Sequence, residues 1–150
     1  VSSLNFFVVT EHKEDNKAVG DIHIVKAFPS QKQAREHLSS LIERNEKLGH
    51  TYDHVTGDIY RVTTPKRVYT IKIVDWQYMF NKRVFVTSSM FTRIGYNTKL
   101  AKLYLRFKTN NSLWSYDCPP AMFKALLTAN SLGQIYNAAI KGKYDGRQEE

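Results

Sequence analysis

Trp114 and Tyr116 stand two residues apart, just downstream of a basic, alternating segment at residues 102–108. Flat rings beside cations suit single-stranded nucleic acid, because rings stack on bases while Lys and Arg follow phosphates. Within 102–108, Leu103, Leu105 and Phe107 take one face of a strand. Lys102, Tyr104, Arg106 and Lys108 take the other. Asn110-Asn111 marks a hairpin turn, so the register of the returning strand decides where the two rings go. A two-residue turn pairs Thr109 with Ser112. It sets Phe107 against Trp114 and Leu105 against Tyr116, which buries both rings. A three-residue loop, Thr109-Asn110-Asn111 with a bulge, pairs Phe107 with Leu113. It puts both rings beside Tyr104 and Arg106 as a basic-aromatic platform. Core packing of at least one ring is the ordinary reading and the platform is the functional one.

The charge around these rings points the same way. The net charge is +8, but residues 1–64 hold 8 Lys and Arg against 9 Asp and Glu. Residues 66–108 hold ten bases and one acid, Asp75. A positive excess confined to one part of a chain implies a surface for a polyanion, although charge on this scale also serves solubility alone. The candidate nucleic-acid-binding residues are therefore Arg93, Tyr96, Lys99, Lys102, Tyr104, Arg106, Lys108, Trp114, Tyr116, Lys141 and Lys143. Lys141 and Lys143 also suit the end of a helix, where cations meet the helix dipole. Ser131 and Gly133 form a candidate anion site at a helix start, with a simple helix cap as the plainer reading.

Little speaks for catalysis, and no cofactor or metal is expected. The five histidines, His12, His23, His37, His50 and His54, all lie in the first half. His50 and His54 have the spacing of helical metal ligands, but Gly49 and Gly57 frame them as a loop. There is no phosphate-binding loop, dinucleotide fingerprint or nucleophile elbow. Cys118 is the lone cysteine, which precludes an intrachain disulfide, fits a reducing cytoplasm, and reads as a small apolar residue before Pro119. No apolar run approaches the roughly 20 residues of a membrane span, and no segment reads as a signal peptide.

The elements that must hold these residues read as α+β. Strands are expected at 4–10, 21–27, 59–63, 67–76 and 83–87, with a polar loop at 11–20 and a turn at Thr64-Pro65-Lys66. Ser30 and Gln33 form a capping box for a helix. Its buried stripe would be Ala34, Leu38, Leu41, Ile42, Asn45 and Leu48, and Gly49 would end it. Pro119-Pro120 opens a second helix with Met122, Phe123, Leu126 and Leu127 inward. Ser131 to Gln134 caps a third, with Ile135, Tyr136, Ala139 and Ile140 inward. The expected architecture is antiparallel sheet with one N-terminal helix and two C-terminal helices. A β-β-α-β-β unit at 1–86 would precede a β-β-α-α unit at 87–144 and a polar tail at 145–150.

One ordered series of residues carries a family resemblance. It runs Ser88-Ser89, Ile94-Gly95-Tyr96, the strand at 103–107, Trp114-Ser115-Tyr116 and Cys118-Pro119. It continues through Ala129-Asn130-Ser131-Leu132-Gly133, Tyr136-Asn137, Ile140-Lys141 and Tyr144. This order resembles the KTSC family, a short domain found alone in bacterial and phage proteins and at the C-terminus of some lysyl-tRNA synthetases. Trp114 stands where the family has Tyr, Cys118 where it has Val, and Asn97 where Asp is common. The resemblance implies RNA binding, the role suggested for the family. The expected function is a small, non-catalytic, cytoplasmic nucleic-acid-binding protein, RNA before DNA, acting through a basic-aromatic surface in the C-terminal half. The rival is a phage-encoded interaction protein that binds a host or defence factor, or sequesters a nucleotide.

Overall fold

The computed structural model describes residues 7–13, 21–65 and 68–150, in two units, Val1–Tyr78 and Met79–Glu150. The fold is α+β, as expected, and the strand pairs described below are antiparallel. Among the described residues, no helix is long and apolar enough to cross a membrane.

In the first unit, β1 (Phe7–Lys13) lies between β2 (Asp21–Phe28) and β5 (Val68–Asp75). β4 (Ile59–Thr63) and β3 (Thr51–Thr56) follow outward from β5. β3 corrects the expectation of a loop around His50 and His54. Gly57, with φ +49°, turns the chain between β3 and β4, and His54 Nε2 lies 2.8 Å from the Gly57 carbonyl. Among the described residues, no three His, Cys, Asp or Glu side chains gather as metal ligands. Residues 4–6 of the first expected strand, most of the 11–20 loop, Lys66 and Arg67 lie outside the described residues.

Helix α1 (Gln31–Glu46) starts where its cap predicts. Ser30 Oγ accepts from the Gln33 amide at 3.2 Å, and its hydroxyl donates to Gln33 Oε1 at 3.3 Å. Ala34 and Leu38 pack with Val62 and Ile71 into a buried cluster, flanked by Leu41, Ile42 and Tyr60. Leu48, expected on this stripe, lies past the helix end and is 69 % exposed.

Asp58 ties this helix to the β3–β4 hairpin. Its carboxylate accepts from Arg35 Nε at 2.9 Å and from Gln31 Nε2 at 2.9 Å. The Arg35 bond holds Asp58 below the usual carboxylate range, against the opposing pull of burial. A depressed folded-state pKa stabilises above the unfolded value and is lost as pH falls through the folded one. Asp58→Ala should therefore lower Tm at pH 7. The gap to the parent should close as pH drops below about 4, where the unfolded carboxyl protonates. Circular-dichroism melts at several pH values check this, and a gap independent of pH would show that the ion pair does not carry the effect.

The second unit is a meander of neighbours. Its strands are β6 (Arg83–Phe85), β7 (Phe91–Asn97), β8 (Lys102–Phe107), β9 (Leu113–Asp117) and β10 (Gly146–Gln148). Each pairs antiparallel with the next. Helix α2 (Pro120–Thr128) packs on β7 and β8. Helix α3 (Leu132–Ile135) continues into a π turn at Tyr136–Ile140. Phe91, Ile94, Leu103, Leu105, Phe123 and Leu126 are all at most 1 % exposed and form the core between sheet and helices. Two expectations change here. Ile94-Gly95-Tyr96 lies within a third strand, β7, and the expected polar tail supplies β10.

Candidate nucleic-acid interface

The β8–β9 hairpin adopts neither register that its sequence suggests. Arg106 pairs with Leu113, Leu105 with Trp114 and Leu103 with Tyr116. Phe107 N donates to the Ser112 carbonyl at 2.9 Å, which leaves a loop at residues 108–111. Asn110 and Asn111 explain the extra length. The Asn110 carboxamide oxygen accepts from the Ser112 amide at 3.1 Å and from its hydroxyl at 2.6 Å, while Asn111 takes φ +57°. Arg106 Nη1 clasps the loop through the Asn111 carbonyl at 2.8 Å.

This register sends Trp114 and Tyr116 to the helix side, with Leu103 and Leu105. The platform shared with Tyr104 and Arg106 is therefore not formed. The two rings differ in depth. Tyr116 is buried, and its hydroxyl lies 2.7 Å from that of Tyr136. Burial, then this bond, pushes the Tyr116 phenol far above its usual range, so it stays neutral. Trp114 is half-buried and stacks on Tyr116, with centroids 6.4 Å apart and 24° between planes. Tyr136 meets Phe107 and Phe91 edge-on, which closes an aromatic box.

A cleft of about 610 Å³ opens over this box. Phe107, Trp114, Tyr116 and Tyr136 form its aromatic wall, and Lys141, Lys143 and Tyr144 line it as well. The π turn positions the last three. Lys141 N donates to the Tyr136 carbonyl at 2.8 Å, Gly142 reverses the chain at φ +75°, and Tyr144 N returns to the Ile140 carbonyl. π turns recur where function needs a residue out of helical step. Both lysines are exposed, whereas Tyr144 is half-buried. Gly146 passes so close to Tyr116 that an added Cβ would sit 2.5 Å from the ring. Only glycine fits there without shifting the aromatic box.

The other expected site residues lie elsewhere. Lys102, Tyr104, Arg106 and Arg93 share the opposite, outer face of the sheet, with Arg93 opposite Arg106 and Tyr104 opposite Gly95. A smaller cavity of about 260 Å³ lies on that face, lined by Arg83, Arg93, Gly95, Tyr104 and Leu113. Tyr96 is not a surface ring. It is 2 % exposed and donates to the Cys118 carbonyl at 2.7 Å. Burial pushes the Cys118 thiol up to about 11, consistent with an inert packing residue. Lys99 sits in the β7–β8 turn, where Asn97 Oδ1 accepts from its amide at 3.0 Å. Lys108 Nζ donates to the Ser88 carbonyl at 3.3 Å. Ser131 Oγ is occupied as the α3 cap, accepting from Gln134 N at 3.3 Å. Gly133 faces Met90, whose Cε would lie 3.3 Å from an added Cβ. Packing rather than an anion accounts for that pair. Phe107, Tyr136 and Tyr144 are site residues that sequence reasoning did not assign. Tyr136 and Tyr144 stand in the family-like series, and Phe107 on the inner face of its strand, but nothing in the sequence joined them to Trp114.

The second unit thus belongs to the class of antiparallel meanders with helices on one face and an aromatic cleft at the sheet margin. Residues 87–144 match the KTSC domain family. Among solved structures, a KTSC domain protein from Yersinia pestis is 27 % identical, over 46 % of this chain and 97 % of that one, with a TM-score of 0.44. No curated protein matches the chain. The structure also shows what several residues of the family-like series do. Ser88 Oγ accepts from the Met90 and Phe91 amides, Ser131 caps, and Gly133 admits Met90. Gly95 lies near the Lys82 carbonyl, 3.1 Å from an added Cβ.

Proposed function

We propose that the protein binds single-stranded RNA without catalysis, taking a base into the cleft against Trp114 and phosphates on Lys141 and Lys143. One observation carries this reading: a half-buried indole and two exposed lysines line one cleft. Stacking tolerates any base, because every base has a π face, and ammonium groups at the mouth supply affinity without sequence preference. The 2′-hydroxyl has polar neighbours to meet in Asn110 and Ser112.

Salt dependence tests the phosphate half of the proposal. The double variant Lys141→Gln, Lys143→Gln should flatten the slope of log affinity against log salt by about 1.4, at roughly 0.7 per neutralised phosphate on a single strand. Fluorescence anisotropy with labelled oligouridylate at several salt concentrations reads this slope. An unchanged slope would move the phosphates away from this cleft. Tight binding of a mononucleotide, equal to that of the oligomer, would favour nucleotide sequestration instead.

A further inference from the structure

The outer face of β7 and β8 holds an arrangement that the cleft does not explain. Arg93 and Arg106 stand directly opposite each other on β7 and β8. Like charges in that position repel, so the pair calls for an anion. The anion present is a side chain of the same unit. Arg106 Nη2 donates to Glu150 Oε2 at 2.7 Å. Glu149 Oε1 accepts from Ser115 Oγ at 2.7 Å. Leu113 exchanges main-chain bonds with both residues, through Glu149 N at 2.7 Å and Glu150 O at 3.1 Å. The Arg106 bond, reinforced by the charges of Arg106 and Arg93, holds Glu150 below its usual range.

The occupant is held less firmly than its receptor. The Arg106 side chain is 10 % exposed and is clasped by the Asn111 carbonyl, whereas Glu150 is 62 % exposed. β10, which leads to the two glutamates, has three residues, all exposed. A guanidinium offers a carboxylate and a phosphate the same planar set of donors. We infer that Arg93 and Arg106 form a second phosphate-binding site for a single-stranded polynucleotide, and that Glu150, anchored beside Glu149 on Ser115, occupies it until the polynucleotide displaces both glutamates. The inference rests on the RNA reading for its ligand class, but it uses the opposite face of the sheet. Tyr104, on the same face of β8, extends the site with a ring. Strand β10 itself stays paired, and only the two glutamates leave.

The test uses the full chain and fluorescein-labelled oligouridylate. The double variant Glu149→Gln, Glu150→Gln should bind about fivefold more tightly at low salt, the scale of one exposed ion pair. Its salt slope should steepen, because no displaced carboxylate takes up cations while the phosphate releases its own. Glu43→Gln with Glu46→Gln removes the same charge from α1 and should change affinity by less than about twofold. Adding Arg106→Gln to the glutamate variant should abolish the tightening. Arg93→Gln serves the same purpose if the buried arginine proves necessary for folding. In the parent, oligouridylate should also speed hydrogen exchange at the Leu113 and Glu149 amides.

The two sites fail separately. If Trp114→Ala weakens binding while the glutamate variant matches the parent, the second site is refuted and the cleft stands. If the glutamate variant tightens through Arg106 while Trp114→Ala binds normally, the outer face stands and the cleft falls. Equal tightening by the α1 charge control would reduce the effect to net charge and overturn the inference. Absence of binding by every variant would overturn both.

Discussion

Trp114→Ala should weaken binding of single-stranded RNA by about 1–3 kcal/mol, the worth of one stacked base. Tyr116 and Tyr136 are committed to each other through their hydroxyls, so the half-buried indole is the ring best able to meet a base. Trp114→Phe keeps a ring and should retain most of the affinity. RNA should quench Trp114 fluorescence, while the other indole, Trp76, lies in the first unit and should respond little. The hairpin register assigns Trp114 a packing role as well, so circular dichroism must confirm that the alanine variant folds. A folded variant that binds as well as the parent would remove the cleft from the RNA reading.

Leu126→Ala should cost the second unit about 2–5 kcal/mol, the range for truncating a buried leucine into a cavity. Leu126 is 1 % exposed on the inner face of α2, which packs on β7 and β8. A rigid sheet on one side and α3 on the other restrict the collapse that would relieve the void. A denaturant melt followed by Trp114 fluorescence reports on this unit. A loss below about 1 kcal/mol would mean that the helix relaxes into the space, contrary to the packing described.

Legibility followed physical signal. α1 was readable because Ser30 and Gln33 cap it and Ala34 and Leu38 recur at helical spacing. β8 was readable because Leu103 and Leu105 alternate with Tyr104 and Arg106. β3 was not, since all but one of its residues are exposed and no alternation marks an inner face. β10 is wholly exposed and polar, so only its pairing with β9 defines it. The hairpin register was open because Asn110-Asn111 suits turns of several lengths, and the Ser112 bonds to Asn110 decide between them. The cleft depends on that register and on a π turn that no sequence period announces. Its members Tyr136 and Tyr144 were therefore visible as aromatics but not as neighbours of Trp114.

The placement of β1 carries a consequence for the order in which the chain folds. β1 lies between β2, its neighbour in sequence, and β5, which arrives only after the helix and two further strands. Its central seam closes across a long span of chain, and that loop entropy must be met before the pairing returns anything. The second unit joins β6 through β9 in sequence order by short hairpins. Local pairing makes that meander the quicker of the two units to form, while the seam of the first waits on its most distant strand. Until β5 docks, one edge of β1 lacks its partner, and that edge is the site in the first unit most open to strand-to-strand aggregation.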